Sequence, residues 1–126
     1  MGMLDGMLGN ASRIDPRKAA QEFGKLLSQG EQVHAAYQLI RDSFLFTDRR
    51  LILVDKQGMT GRKRAYHSIP YRAITMFSVE TAGSFDTDAE LRIWVSGQAQ
   101  PFLQNLSRGA NLPGIQKALA GGVLRR

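Results

Sequence analysis

The sequence contains no cysteine among its 126 residues. Without thiols, the chain can form neither a disulfide nor a thiolate metal site. Long apolar runs are also missing, because no segment approaches the ~18 consecutive apolar residues of a membrane-spanning helix. The first residues lack the order of a signal peptide, and Gly6 stands where a myristoylation signal has Ser or Thr. We therefore expect a cytoplasmic protein.

Motifs for catalysis and for nucleotide cofactors are absent as well. The sequence has neither a P-loop nor the G-x-G-x-x-G pattern of dinucleotide-binding proteins. The two histidines, His34 and His67, fall in predicted strands with no nucleophile motif beside them. A zinc site without cysteine would need carboxylates from separate loops, and no spacing suggests one. The sequence therefore predicts a non-catalytic protein without cofactors.

Acidic residues cluster in one segment, where Asp86, Asp88 and Glu90 alternate with other residues. We call these three residues the acidic cluster. Alternating carboxylates are typical of calcium loops, but an EF-hand needs glycine at its sixth position, where this chain has Leu91. The same pattern suits a solvated hairpin loop. We predict a polar loop here, with no bound metal.

What the sequence does contain is an excess of positive charge. Its 17 Lys and Arg residues against 11 Asp and Glu residues give a formal net charge of +6. The densest group is Arg62, Lys63 and Arg64, with Lys56 nearby, and we call these four residues the basic cluster. A basic balance favours contact with polyanions but also keeps a small domain soluble. The charge alone therefore identifies no ligand.

Two helices are predicted, one near each end of the chain. Asp15 is a suitable N-cap and Pro16 fits the first helical position, which predicts an amphipathic helix of about three turns. Asn111 is a suitable cap for the second helix, which Gly121 and Gly122 are expected to end. We assign residues 1–30 to an N-terminal helical segment and residues 31–126 to a domain that includes the second helix.

Between the helices, seven short segments are rich in β-forming residues. They are QVHAAYQLI, SFLFT, RLILVD, KRAYHSIPY, AITMFSVET, LRIWVSG and QPFLQNL. Strands joined by tight turns must pair antiparallel, because parallel strands need long crossovers. This order predicts a sandwich or partly open barrel whose open end a helix covers. The predicted core residues are Leu45, Leu51, Leu53, Ile69, Ile74, Met76, Leu91, Ile93, Ile115 and Leu119.

Three motifs within these strands are similar to those of a known family. They are Thr47-Asp48-Arg49-Arg50-Leu51-Ile52, Ile69-Pro70-Tyr71 and Glu80-Thr81-Ala82-Gly83. Through them, residues 31–120 resemble the bacterial pleckstrin homology (PH) domain family. The resemblance implies a mainly β fold: a seven-stranded antiparallel PH-like sandwich or partly open barrel, with an N-terminal helix and a C-terminal capping helix. It also implies ring-forming homo-oligomers rather than monomeric lipid-binding domains.

The motifs also have direct physical interpretations. Thr47-Asp48 is typical of a turn, because Asp bonds its own backbone two residues on, and Asp48 could pair with Arg50 or Arg72. Pro70 has no N–H, so a strand ladder must break there. We interpret Ile69-Pro70-Tyr71 as the corner at which the chain passes from one sheet to the other.

The basic cluster has several candidate ligands. Tyr66 and Tyr71 lie near it, as aromatic residues do in single-strand binders, but the charges are few and no RNP-like motif exists, which argues against nucleic acid. Anionic lipid or inositol phosphate is a second candidate. Eukaryotic PH domains bind headgroups with basic residues around the first hairpin loop. Here that link, Arg41-Asp42-Ser43, is short and nearly neutral, and the cluster falls between the predicted third and fourth strands instead.

A protein partner is the remaining candidate, most simply a second copy of this chain. The basic cluster of one copy could meet the acidic cluster of the next in a head-to-tail contact, and such contacts close into rings when the rotation permits. Charges at such a contact set register and specificity more than affinity. We predict a homo-oligomeric scaffold or adaptor; the alternative is a peripheral membrane module that binds acidic lipid through the basic cluster. If neither holds, the cluster is a solvated hairpin end.

Overall fold

The computed structural model describes residues 13–39, 42–60, 62–81, 83, 88–106 and 111–125. Its elements are β1 (Arg13–Ile14), α1 (Pro16–Glu22), β2 (Val33–Gln38), β3 (Ser43–Thr47), β4 (Arg50–Gln57), β5 (Lys63–Pro70), β6 (Ile74–Thr81), β7 (Ala89–Val95), β8 (Phe102–Leu106) and α2 (Leu112–Val123). All seven predicted strands occur, as β2–β8, and β1 is an additional short strand. The mainly β plan with a helix before and after the strands is confirmed.

The strands form two antiparallel sheets. The first contains β1–β5 in chain order, and the second contains β6–β8. The chain changes sheet at Ile69-Pro70-Tyr71, as predicted: β5 ends at Pro70, and a 3-10 turn over Tyr71–Ala73 leads into β6. Pro70 cannot donate to a ladder, so the first sheet stops there. Among the described strands, β5 pairs only with β4, so it is an edge strand.

The first sheet is covered on both faces. In β4, Leu51 and Leu53 join a core cluster shared with the second sheet and α2, whereas Ile52 and Val54 join a cluster that includes residues of α1. This alternation is the period of two expected for a strand. β3 lies in the middle of the sheet and is buried at every position. Its three consecutive apolar residues, Phe44, Leu45 and Phe46, are the sequence signature of a strand buried on both faces.

One predicted core residue is exposed. Met76 keeps 51% of its surface accessible, whereas the other nine predicted core residues are buried. The cause is a bulge: Ile74 pairs with Val95 and Met76 pairs with Trp94, so Thr75 is an extra residue in β6. An extra residue shifts the alternation of inward and outward side chains by one position, so the residues after the bulge point to the face opposite to the predicted one. Phe77 therefore packs against the core in place of Met76.

α1 begins as predicted but is shorter than three turns. The N–H of Arg17 donates to Oδ1 of Asp15 at 2.9 Å, which confirms the cap. The helix ends at Glu22, and a 3-10 turn over Gly24–Leu26 follows. Gly24 disfavours continued α-helix because of its backbone entropy. The short helix places Ala19 and Phe23 against the outer face of the first sheet.

α2 also begins as predicted, at the cap Asn111, whose Oδ1 accepts from the N–H of Gly114 at 3.1 Å. It buries Leu112, Ile115 and Leu119.

The expectation that Gly121 and Gly122 end α2 is wrong, because the helix continues to Val123. A Cβ atom at Gly122 would overlap the aromatic ring of Tyr71. Gly122 thus allows α2 to approach the corner between the sheets.

Candidate partner-binding surface

The basic cluster lies on the hairpin formed by β4 and β5. The two strands pair up to its end, with Lys56 opposite Arg64 and Gln57 opposite Lys63. Gly58 enters the connecting turn with a φ of +77°, a conformation that favours glycine, while Gly61 lies outside the described residues. Arg62, Lys63 and Arg64 are exposed and Lys56 is half-buried. The predicted hairpin is therefore confirmed, with its cations directed to solvent.

The cations of the hairpin are available for an external partner. Within the described part of the chain, none of the five ion pairs includes a residue of the basic cluster. Met59, in the turn of the same hairpin, is fully exposed, and Tyr66 on β5 is largely exposed. The surface at this end thus combines positive charge with apolar groups.

The turn end of the hairpin is anchored by the carboxylate of Asp42. Its Oδ1 accepts from the backbone N–H of Lys56 at 3.2 Å, and its Oδ2 accepts from the side-chain amide of Gln104 at 3.1 Å. Lys56 belongs to β4 and Gln104 to β8, so one side chain connects the hairpin to the second sheet. This anchoring restricts the positions that the basic cluster can reach.

The structure describes part of the acidic cluster. Asp88 is exposed just before β7, and Glu90 is half-buried on that strand. Arg92 donates from Nη2 to Oε1 of Glu90 at 3.0 Å, and its Nη1 lies 3.3 Å from Oε1 of Glu80. Asp86 lies outside the described residues. The contribution of Glu90 to a partner contact is therefore reduced by Arg92, and the contact with a second copy stays a prediction.

At the opposite end of β4, the predicted partner of Asp48 is wrong. Arg50 pairs with Glu31 rather than with Asp48, and Oδ1 of Asp48 instead accepts from the N–H of Gln32 at 2.8 Å. Its other oxygen lies 3.7 Å from Nε of Arg49. The hydrogen bond from Gln32 is the main cause that lowers the pKa of Asp48. Asp48 therefore mainly accepts a hydrogen bond from the backbone of Gln32, and its ion pair with Arg49 is weak.

Glu31 is a buried acidic residue that the sequence patterns did not identify. Its carboxylate accepts from Arg50, from the hydroxyl of Thr47 at 2.6 Å, and from Ser28. The hydrogen bonds from Arg50 are the largest cause that lowers its pKa from 4.5 to about 2, against the opposing effect of burial. Glu31 lies 19 residues from Arg50, so no local spacing indicates the pair.

The two histidines lie on different strands, His34 on β2 and His67 on β5. His34 is exposed on β2, and the ring of His67 lies against Phe102 with 5.4 Å between ring centroids. The described residues contain no group of three His, Cys, Asp or Glu side chains that could hold a metal ion. In the same part of the chain, neither helix has the length and hydropathy required to cross a membrane.

Comparison with known proteins identifies the family. A sequence model described as Bacterial PH domain matches residues 2–123. The chain belongs to this family. It is 50% identical over 121 residues to the uncharacterized protein YjqA of Bacillus subtilis (strain 168), an alignment that covers 95% of this chain and 97% of YjqA.

Two crystal structures confirm the PH-like fold. The PH domain from Shewanella amazonensis SB2B is 52% identical, has a TM-score of 0.83, and is matched over 97% of this chain and 98% of its own. A DUF1696 family protein with a PH domain from Shewanella loihica PV-4 is 51% identical, with a TM-score of 0.77 over 89% of this chain and 96% of its own. These bacterial PH domain relatives indicate no catalytic family.

Proposed function

We propose that this bacterial PH domain protein is a non-catalytic module whose copies associate head to tail into a homo-oligomeric scaffold for other proteins. The observation that supports the proposal is the hairpin of β4 and β5. It presents the basic cluster at one end of the first sheet, where no described carboxylate forms an ion pair with it. The acidic cluster of a neighbouring copy is the complementary surface within the same sequence.

The form of the edge strand supports a charge-directed contact. An exposed edge attracts unspecific strand pairing unless charged residues or proline block it. β5 begins with Lys63 and Arg64 and ends with Pro70, so its edge resists pairing with an arbitrary strand. The carboxylates of an acidic partner would neutralise Lys63 and Arg64, so these charges would no longer oppose its approach to the edge. Because the two clusters differ, the contact is heterologous, and repeated contacts close into a ring when the rotation permits.

A charge-swap experiment tests this proposal. One variant carries Arg62→Glu and Arg64→Glu, a second carries Asp86→Lys and Asp88→Lys, and a third carries all four substitutions. Sedimentation velocity and light scattering at low salt should show an oligomer for the wild type. We expect each double variant to dissociate, because like charges then face each other, and the quadruple variant to associate again.

The control exchanges the same number of charges elsewhere. Lys18→Glu with Lys117→Glu alters two exposed lysines outside both clusters and should leave the oligomer intact. A wild type that is monomeric at micromolar concentration and low salt would contradict the proposal. So would double variants that keep the wild-type mass, or a quadruple variant that stays dissociated while folded.

Binding to an anionic membrane is the second candidate, and the exposure of Met59 favours it. A fully exposed methionine in the turn of a basic hairpin can enter the interface while the cations meet acidic headgroups. Each Lys or Arg near an anionic surface contributes about 1 kcal/mol. The hairpin thus has both components of a peripheral membrane contact.

Co-sedimentation with vesicles separates the two candidates. Membrane binding predicts that the protein sediments with phosphatidylserine-containing vesicles but not with pure phosphatidylcholine vesicles. Arg62→Glu with Arg64→Glu should abolish this binding and Met59→Ser should weaken it, whereas Asp86→Lys with Asp88→Lys should leave it intact. Absence of charge-dependent binding at low salt would exclude the membrane candidate.

A further inference from the structure

A groove and a pocket adjoin each other at the end of the first sheet remote from the basic cluster. The groove, of about 560 Å³, lies between the corner residues Tyr71 and Arg72 and the end of α2 at Gly122 and Arg125. The pocket, of about 250 Å³, lies deeper, between β2, β3 and α2. Tyr71, Gly122 and Arg125 line both, so the two spaces are neighbours that meet at these residues.

The groove is lined by Asp48 and by three arginines, two of which form no ion pair with a described carboxylate. Arg49, which also lines it, is engaged by Asp48 and donates to Oγ of Ser28 at 2.9 Å. By contrast, no described carboxylate forms an ion pair with Arg72 or Arg125. Guanidinium groups bind planar anions through parallel N–H donors. The groove therefore suits the head of an anionic ligand.

The pocket behind the groove has a largely apolar lining that includes Ala35, Phe46 and Ala118. Gly121 also lines it, and a Cβ atom at Gly121 would have no atom within 4 Å. Glycine inside a helix costs about 1 kcal/mol of stability relative to alanine. No neighbouring atom would clash with an alanine at this position, so packing does not explain the glycine. The pocket is larger than the ~150 Å³ cavity known to hold benzene, so it can hold a ring or a short alkyl chain.

The polar groups at the junction favour a singly charged anion over a doubly charged one. Burial raises the pKa of Tyr71 well above its usual value, so its hydroxyl stays protonated and donates to the carbonyl oxygen of Thr47 at 2.6 Å. The groove also adjoins the carbonyl end of α2, where the helix dipole is negative. That end disfavours a doubly charged phosphate more than a singly charged carboxylate.

We propose that this site binds a small carboxylate that bears an apolar chain, such as a medium-chain fatty acid. The carboxylate lies between Arg72 and Arg125, and the chain enters the pocket beside Gly121. The site is independent of the basic cluster and of the proposed association between copies. It would make the protein a binder of anionic amphiphiles, whichever partner its hairpin contacts.

Titration with octanoate, followed by amide chemical shifts, tests the site. We expect shifts concentrated at Tyr71, Gly121 and Gly122, and an affinity for octanoate about five-fold above that for octanol, given ~1 kcal/mol for an exposed charge contact. Arg72→Gln with Arg125→Gln should remove that preference while octanol binding persists. Gly121→Leu, which adds a bulky side chain at the lining of the pocket, should weaken the binding of both compounds.

Two controls accompany these variants. Arg17→Gln with Lys18→Gln removes two exposed charges on α1 and should leave both affinities unchanged. Gly121→Ala adds only one methyl group, so it should keep the fold and octanoate binding even if Gly121→Leu does not fold.

Several results would overturn the proposal. One is amide shifts spread over the whole protein on addition of octanoate. Another is an unchanged preference for octanoate over octanol after removal of both arginines, and a third is unchanged octanoate binding by a folded Gly121→Leu variant. Tighter binding of octyl phosphate than of octanoate would refute the assignment to a carboxylate. A change of oligomeric mass on Gly121→Leu would show that a second copy of the chain occupies the groove.

Discussion

Arg50 binds Glu31 through two parallel contacts: Nη2 lies 2.9 Å from Oε1, and Nε lies 2.9 Å from Oε2. The same guanidinium donates to the carbonyl oxygen of Leu26 at 2.6 Å and to the hydroxyl of Ser68 at 2.8 Å. The segment that follows α1 is thereby attached to β4 and β5. Bidentate, charge-assisted bonds of this kind are among the stronger polar contacts in proteins.

Removing the charge of Glu31 should destabilise the protein. Glu31→Gln keeps the size of the side chain but leaves the guanidinium of Arg50 without its counter-charge. We expect the free energy of unfolding to fall by about 2–3 kcal/mol, measured by urea denaturation with circular dichroism. Glu22→Gln, at an exposed position of α1, is the matched control. A loss below about 0.5 kcal/mol, as at ordinary surface positions, would show that the pair contributes little.

The same carboxylate predicts a specific dependence on pH. The pKa of Glu31 falls from 4.5 to about 2 on folding, so its contribution is complete above pH 4.5 and is lost as the pH falls toward 2. The difference in unfolding free energy between wild type and Glu31→Gln should therefore shrink across this interval. Urea denaturation at several pH values measures it. A difference that stays constant from pH 4.5 to 2 would contradict the lowered pKa.

Adjacent glycines in α2 should respond oppositely to alanine. Gly122→Ala places a methyl group against the ring of Tyr71, which is held by its bond to Thr47, and should cost about 1–3 kcal/mol. Gly121→Ala meets no atom within 4 Å and should stabilise the protein by up to about 1 kcal/mol through helix propensity. Thermal and urea unfolding of both variants provide the measurement. If both substitutions stabilised the protein, or both destabilised it, the contact between Gly122 and Tyr71 would be disproved.

The bulge in β6 predicts which neighbouring residue supports the core. Phe77→Ala should cost about 2 kcal/mol because Phe77 is half-buried against the core. Met76→Ala should change the unfolding free energy by less than about 0.5 kcal/mol, because that side chain faces solvent. Urea denaturation distinguishes the two. A larger loss at Met76 than at Phe77 would mean that β6 keeps uninterrupted alternation in solution.

Local chemistry accounts for the parts of the fold that the sequence predicted. Asp15 and Asn111 cap helices through bonds within three residues, and Pro70 ends a strand because it lacks an N–H. Regular alternation likewise identified β7 and its buried residues. Each of these signals acts between near neighbours, so a single sequence is sufficient to detect it.

The parts that could not be predicted depend on distant contacts. The bulge at Thr75 changes the phase of β6 without leaving a mark in the residue pattern, so the alternation wrongly predicts Met76 in the core. Gly122 resembles a helix stop until the ring of Tyr71 is known to lie beside it. The candidate hairpin was predicted because its charges are consecutive, whereas the groove at Arg72 and Arg125 unites residues 53 positions apart.

The carboxylate of Asp42 has a mechanical consequence for any contact at the hairpin. Because it holds the backbone of Lys56 in one sheet and the amide of Gln104 in the other, tension applied to the hairpin is shared by β4 and β8. The two bonds act in series through Asp42, so the turn end of β4 stays attached to β8 only while both bonds hold. The tip of the hairpin is thereby fixed relative to the second sheet and is not a loose arm.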